Sequence, residues 1–288
     1  MRDLNHQLKQ LCRHCREGAY GTQNKRERML TLMANQLYEL GYRGMTTRSL
    51  KPKHVDALVK LWSDQGLSIG TLKNRMAAIR WWAHKVDKQN VVARSNEHYG
   101  IPDRRFVTNE SKAKTVTRSQ LDKVRDEHVR MSLELQQAFG LRREEAIKFQ
   151  PSFADRGDHL VLKASWTKGG RERTIPVRTE AQRDVLNRAR RLAGLGSLIP
   201  SYRNYVQQLR IYEGNTLRAG LSNMHGLRHA YAQNRYEELT GWQAPAAGGP
   251  NAKTLTLEQR ETDRQARLTI SRELGHEREQ ITAAYLGK

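Results

Sequence analysis

The second half of the chain holds short clusters of side chains able to do chemistry. Arg142 lies in Gly140-Leu141-Arg142-Arg143-Glu144-Glu145, Lys168 in Thr167-Lys168-Gly169-Gly170, His225 and Arg228 in His225-Gly226-Leu227-Arg228-His229, and His276 in Leu274-Gly275-His276, with Tyr285 nine residues further on. A guanidinium is a permanently charged fork for a carboxylate or phosphate, an ammonium or imidazole can give up a proton, and a phenol becomes a nucleophile once its proton is taken. Singly, each has an ordinary explanation. Arg142 serves as an ion-pair partner of Glu145, Lys168 as a solvated turn lysine, His225 and His276 as satisfied structural histidines, and Tyr285 as an amphipathic surface or core residue. Their order and joint occurrence carry the signal.

In that order and spacing the clusters resemble the tyrosine recombinase, or phage integrase, family. Gly140 to Glu145 is similar to the family's G-L-R-x-x-E, which implies Arg142 as the first active-site arginine, with Arg143 as its rival, and Glu145 as its supporting glutamate. Thr167 to Arg173, followed by Ile175-Pro176-Val177, is similar to the hairpin motif K-G-x-K-x-R-x-x-P-[LIV] and implies Lys168 as the hairpin lysine. His225 to His229 matches H-x-L-R-H, implying His225 and Arg228, and Leu274-Gly275-His276 with Tyr285 matches the L-G-H that precedes the family's nucleophilic tyrosine. The resemblance implies a mainly α fold with a small β-sheet (α+β), a helical core-binding domain preceding the catalytic domain.

It also implies roles. Tyr285 would attack a scissile phosphate, giving a covalent 3′-phosphotyrosine and a free 5′-hydroxyl and storing the bond energy for rejoining. Arg142 and Arg228 would neutralise the non-bridging oxygens, Lys168 would protonate the leaving oxygen, His225 would serve as acid/base partner of the nucleophile, and His276 would donate a hydrogen bond to the phosphate. No cofactor and no metal are called for. The implied partners are double-stranded DNA carrying a specific recombination site and further copies of the chain, monomeric when free and tetrameric on two duplexes. Accessory DNA-bending or directionality factors are further implied partners, and integration or excision of a mobile element is the implied task.

Composition points the same way. With 51 Lys and Arg against 30 Asp and Glu, the net charge of +21 predicts a polyanionic, salt-sensitive partner. A mean hydropathy of −0.81, no long apolar run and a polar N-terminus argue for a cytoplasmic, nucleoid-associated protein and against a membrane partner. Cys12 and Cys15 form a C-x-x-C, but no second pair exists to complete a four-ligand zinc site, so they read as ordinary side chains one turn apart on a helix.

These groups must be positioned by elements that the pattern also predicts. Residues 1–97 read as helical: Leu30, Met33, Leu37 and Leu40 form one stripe, Val55, Leu58, Val59 and Trp62 a second behind Pro52, and Leu72, Met76, Ile79, Ala83 and Val86 a third. The outer face of the third helix is basic, and Lys73, Arg75 and Arg80 are its expected DNA contacts. Residues 98–114, with Arg104 and Arg105, read as a linker crossing a phosphate backbone. The catalytic domain spans 115–288. It opens on a capping box, Thr117 with Gln120, and a helix from Met131 is expected to run into the arginine motif through Lys148. Strands at His159–Lys163 and Arg173–Val177 form a hairpin with Lys168 at its tip and Arg171 as a DNA contact, while Trp166 and His229 read as structural. Residues 240–266 read as an insertion beginning with a flexible Pro- and Gly-rich loop. With three residues following Tyr285, the insertion is expected to supply contact between protomers. The weighed alternatives are a type IB topoisomerase, a catalytically silent DNA-binding regulator and a basic RNA-binding protein.

Overall fold

Leu30, Met33 and Leu37 are fully buried on one face of α2 (Tyr20–Glu39), which packs against α1 (Asp3–His14). The structure is a computed structural model and describes residues 3–276 and 279–288. The chain divides into two units, Met1–Arg105 and Phe106–Lys288. The first is helical. Pro52 opens α3 (Pro52–Asp64), where its fixed φ suits a first turn and its missing N–H costs nothing, and Ser68 caps α4 (Ile69–Lys85) by accepting from the Thr71 N–H. Their stripes meet in one core with Trp62 and Trp82 at its centre, both fully buried. Leu40 departs from its expected place. It is the C-cap of α2, where the chain leaves the helical path, and is 40% exposed. Cys15 lies just past the end of α1, so only Cys12 is a helical core residue. Ile101 is buried in this core, so the first part of the 98–114 stretch is packed into the first unit.

The second unit is helical around a two-stranded antiparallel sheet, β1 (His159–Leu162) and β2 (Arg173–Pro176), with Leu160 opposite Ile175. Thr117 and Gln120 form the expected reciprocal cap of α5 (Arg118–Asp122). The next helix, α6 (Glu127–Phe139), begins four residues before Met131. Asp126 accepts from the Val129 N–H and is fixed by Arg203 at 2.7 Å, which sets the start. This helix does not continue through the arginine motif. Gly140 adopts φ +60°, and a Cβ there would lie 2.6 Å from the Tyr231 ring, so the chain turns and restarts as α7 (Arg143–Ile147). Four helices follow in order: the short α8 (Pro151–Ala154), α9 (Glu180–Ala193), α10 (Tyr205–Arg218) and α11 (Gly226–Thr240).

Residues 241–256 form a loop whose first half is packed, whereas a flexible one was expected. Ala244 and Ala246 are buried, a 3-10 turn at Pro245–Ala247 contacts the last helix, and Leu255 is buried just before α12 (Leu257–Glu273). Small residues let the loop approach closely: a Cβ on Gly287 would meet the Ala246 nitrogen at 2.7 Å. The chain ends in α13 (Glu279–Leu286), packed on α11 and α12. No helix among the described residues is long and apolar enough to cross a membrane.

Candidate active site

The site is assembled where helices start and stop. Leu274-Gly275-His276 terminates α12: Gly275 takes φ +65°, its N–H donates to the Arg272 carbonyl at 2.9 Å, and the His276 N–H donates to the Ser271 carbonyl at 2.9 Å. This double bond pattern closes the helix but leaves the Leu274 carbonyl for other donors. Three guanidiniums use it. Arg173 donates from Nη1 at 2.8 Å, Arg142 from Nη2 at 3.4 Å, and Arg228 through a short bond from Nη2. A helix C-terminus carries partial negative charge, which favours cations gathered there.

Glu145 supplies the one carboxylate of this cluster among the described residues. Fully buried on α7, it accepts from the Arg142 backbone N–H at 2.6 Å, from Arg142 Nη1 at 2.8 Å and from Arg173 Nη2 at 2.6 Å. Burial pushes its carboxyl up, but the charges of Arg173, Arg228 and Arg142 outweigh this and hold it below the usual carboxylate range. Arg173 is brought down to about 9 by burial and by repulsion from Arg228, and still carries its proton at neutral pH. Among the described residues, three guanidiniums against one carboxylate leave the cluster electropositive.

Arg228, 1% exposed on the first turn of α11, joins the cluster to the tyrosine. Its Nη1 donates to the Gly140 carbonyl at 2.6 Å, and its Nε donates to the Tyr285 hydroxyl at 3.3 Å. On its other side that hydroxyl lies 3.4 Å from His225 Nε2. Burial, then the charges of Arg228 and Arg142, lower the His225 pKa, which leaves a neutral ring able to accept the phenol proton. His276 stacks on Tyr285 with ring centroids 5.4 Å apart, and its pKa is pushed down to about 3 by burial and the three arginines. His229 also packs on Tyr285, with ring centroids 4.6 Å apart, and is brought down to about 4 by burial and by the charges of His225, Lys112 and Arg228, in keeping with a structural role.

Of the residues singled out by sequence, Arg142, Glu145, His225, Arg228, His276 and Tyr285 are thus brought together. Lys168 is not. It stands exposed between β1 and β2, followed by Gly169 and Gly170 in left-handed conformations, with no hydrogen-bond or ion-pair partner among the described residues. Arg143, the rival of Arg142, points elsewhere and pairs with Glu213 at 2.9 Å. Arg173 was quoted within a motif without a role. Its signal was the strand period, because Arg173 shares the inward face of β2 with buried Ile175. The Leu274 and Gly140 carbonyls had no signal, since a backbone oxygen is written by no particular letter.

The expected DNA contacts are differently placed. Lys73 is ion-paired with Asp103 at 2.6 Å, Arg75 lies over the Trp62 ring at 5.0 Å, and Arg80 donates to the Ala93 carbonyl at 3.0 Å. Arg104, Arg105 and Arg171 are exposed.

Comparison with known proteins agrees with this architecture. A family model described as "Phage integrase, N-terminal" matches residues 1–92, and one described as "Integrase" matches residues 103–234. Among solved structures, a lambda integrase dimer bound to a COC′ core site is similar at 15% identity and TM-score 0.63, covering 98% of this chain and 76% of that one. XerH site-specific recombinase bound to difH substrate is similar at 16% identity and TM-score 0.57, covering 98% and 80%. A lambda integrase tetramer bound to a Holliday junction is similar at 14% identity and TM-score 0.59, covering 96% and 78%. No curated protein matches the sequence. The chain belongs to the phage integrase family, the tyrosine recombinases, enzymes that break and rejoin DNA strands. The residues matched by the two family models stop short of His276 and Tyr285.

Proposed function

We propose that the chain is a site-specific recombinase in which Tyr285 attacks a scissile phosphate to form a covalent 3′-phosphotyrosine, in the service of integration or excision of a mobile element. The observation that carries this reading is the contact of the Tyr285 hydroxyl with Arg228 at 3.3 Å and His225 at 3.4 Å, at the edge of a cluster with three guanidiniums and one carboxylate. A buried excess of positive charge is stabilised when a phosphate enters, and more so when a phosphorane forms. As the phenol oxygen bonds to phosphorus, its proton passes to His225 Nε2. Arg142, whose side chain is 19% exposed, and Arg228 face the non-bridging oxygens, and His276 donates to one of them. The bond to the 5′-oxygen breaks as Lys168, brought in by the hairpin, protonates it. A 5′-hydroxyl of a partner strand reverses each step.

Lys73, Arg104 and Arg105 in the first unit and Arg171 in the second are the proposed phosphate contacts, while the half-buried Arg75 and Arg80 add to the field. Lambda integrase binds a Holliday junction as a tetramer, and for this chain we propose the same state on two duplexes and a free monomer. Accessory bending or directionality factors would assist, and the protein would act in the cytoplasm at the nucleoid. Exposed residues of the insertion, 251–254 and Leu257 among them, are available to a neighbouring protomer.

The test uses a pool of nicked duplexes with a randomised core. Covalently held DNA is recovered after SDS treatment, sequenced, and rebuilt as a defined substrate. Wild type is expected to retain DNA that Tyr285→Phe does not. Equal retention by both overturns the nucleophile, and supercoil relaxation with no strand exchange between two recovered sites overturns recombination.

A further inference from the structure

The carbonyl of Tyr285 lies near the end of α13, where helix carbonyls lack donors within the helix. Its donor is Gln233 of α11, 7% exposed, whose Nε2 stands 3.0 Å away. The other end of the same amide, Oε1, accepts from the Ser111 hydroxyl at 2.9 Å. Ser111 in turn accepts from the Ala113 N–H at 3.2 Å, which fixes its own turn. It belongs to the segment through which the chain enters the second unit, and that segment is held at both ends. The Asn109 side chain, on a backbone at φ +54°, accepts from the Lys288 N–H at 2.8 Å, and the Lys114 N–H donates to the Gly226 carbonyl at 3.0 Å. Packing there is tight: a Cβ on Gly226, next to His225, would meet the Lys112 carbonyl at 2.7 Å.

We propose that Gln233, braced by Ser111, is a positioning residue that sets the depth of Tyr285, so that the entry segment 109–114 is part of the nucleophile's mounting. This rests on the reading of Tyr285 as nucleophile. The Ser111–Gln233–Tyr285 relay runs through side chains, reaches the nucleophile's own residue and can be cut without touching phosphate. Displacing a reacting atom by about an ångström costs about 100-fold in rate even when the mutation lies away from the chemistry.

The full-length chain is tested with the duplex recovered above, measuring covalent attachment at saturating protein, duplex affinity by gel shift, and thermal melting. Gln233→Glu keeps the volume but sets an acceptor against the Tyr285 carbonyl. It is expected to slow attachment about 100-fold at neutral pH with affinity within about twofold. The deficit should shrink as pH falls and the introduced carboxyl regains a proton to donate, a readout that a packing defect would not give. Ser111→Ala is expected to slow attachment about tenfold, and Ser111→Thr, which keeps the hydroxyl, to restore it. Should Gln233→Glu fail to fold, the exposed Ser111 pair decides alone. Attachment at the wild-type rate, or lost only in step with affinity or folded fraction, overturns the brace. Adduct formed equally by wild type and Tyr285→Phe overturns the nucleophile reading and the brace with it, whereas adduct lost in Tyr285→Phe but formed at the wild-type rate by Gln233→Glu and Ser111→Ala overturns the brace alone.

Discussion

Around the Leu274 carbonyl, the guanidiniums of Arg173 and Arg228 are buried and tied to backbone oxygens and a carboxylate, whereas Lys168, the proposed proton donor, stands in solvent between two strands with no partner among the described residues. The difference follows from what each must do. Charge stabilisation gains from groups that do not reorganise when the transition state forms, and a buried guanidinium held by fixed acceptors is such a group. A proton donor has to approach the leaving oxygen and then be reprotonated, which an exposed ammonium on a two-glycine turn can do.

Arg228→Ala attacks the fixed side of this contrast and should have the largest effect. It strips donors from Gly140, Leu274 and Tyr285 together, so covalent attachment should fall by about 1,000-fold or more, read in single turnover. Lys168→Ala attacks the free side. Attachment should fall about 100-fold to 10,000-fold while melting stays within about 0.5 kcal/mol of wild type. A duplex with sulfur at the leaving position, which departs without a proton, should return most of that rate. A large loss of stability in Lys168→Ala would break the comparison.

Much of the site's membership was legible, because Arg142, His225, Arg228, His276 and Tyr285 sit in motifs whose spacing survives as geometry. The elements were legible where a local rule decides them: Thr117 with Gln120, and Pro52, begin helices by chemistry contained within four residues. What was not legible depended on contacts distant in sequence. The break at Gly140 answers to Tyr231, 91 positions away, and the order of loop 241–256 answers to Gly287 and α13. Arg173, hidden as one polar letter in a strand, answers to Leu274.

Acidification should act on the buried side. An unfolded histidine takes a proton near 6.5, but folded His229 and His276 resist until about 4 and about 3, and His225 is shifted the same way. Between these values the unfolded state binds more protons. Stability is therefore complete above about pH 6.5 and is lost progressively as pH falls towards 4, a slope that melting curves should show and that His276→Asn should flatten. The depressed Glu145 carboxyl adds loss of the same sign at still lower pH.

The smallest effect separates two glycines. Gly275→Ala puts a Cβ at φ +65° and 2.8 Å from the Arg173 side chain, and Gly157→Ala puts one at φ +91° in open space. The left-handed conformation alone should cost each about 1–2 kcal/mol by melting. Only Gly275→Ala should also slow attachment, because it pushes on the cluster. Equal activity in both would show that Arg173 gives way without consequence.

The acceptor at the centre of the site is a main-chain atom, and this changes how such a site can drift. A carboxylate in that place could be erased by one codon change. The Leu274 oxygen survives almost any substitution of its own side chain, provided the helix still ends there, and that condition is written one residue later, in Gly275. The short motif therefore encodes a stopping point more than a set of reactive groups. An engineered scaffold that reproduced the helix end could host the three arginines under quite different neighbouring letters.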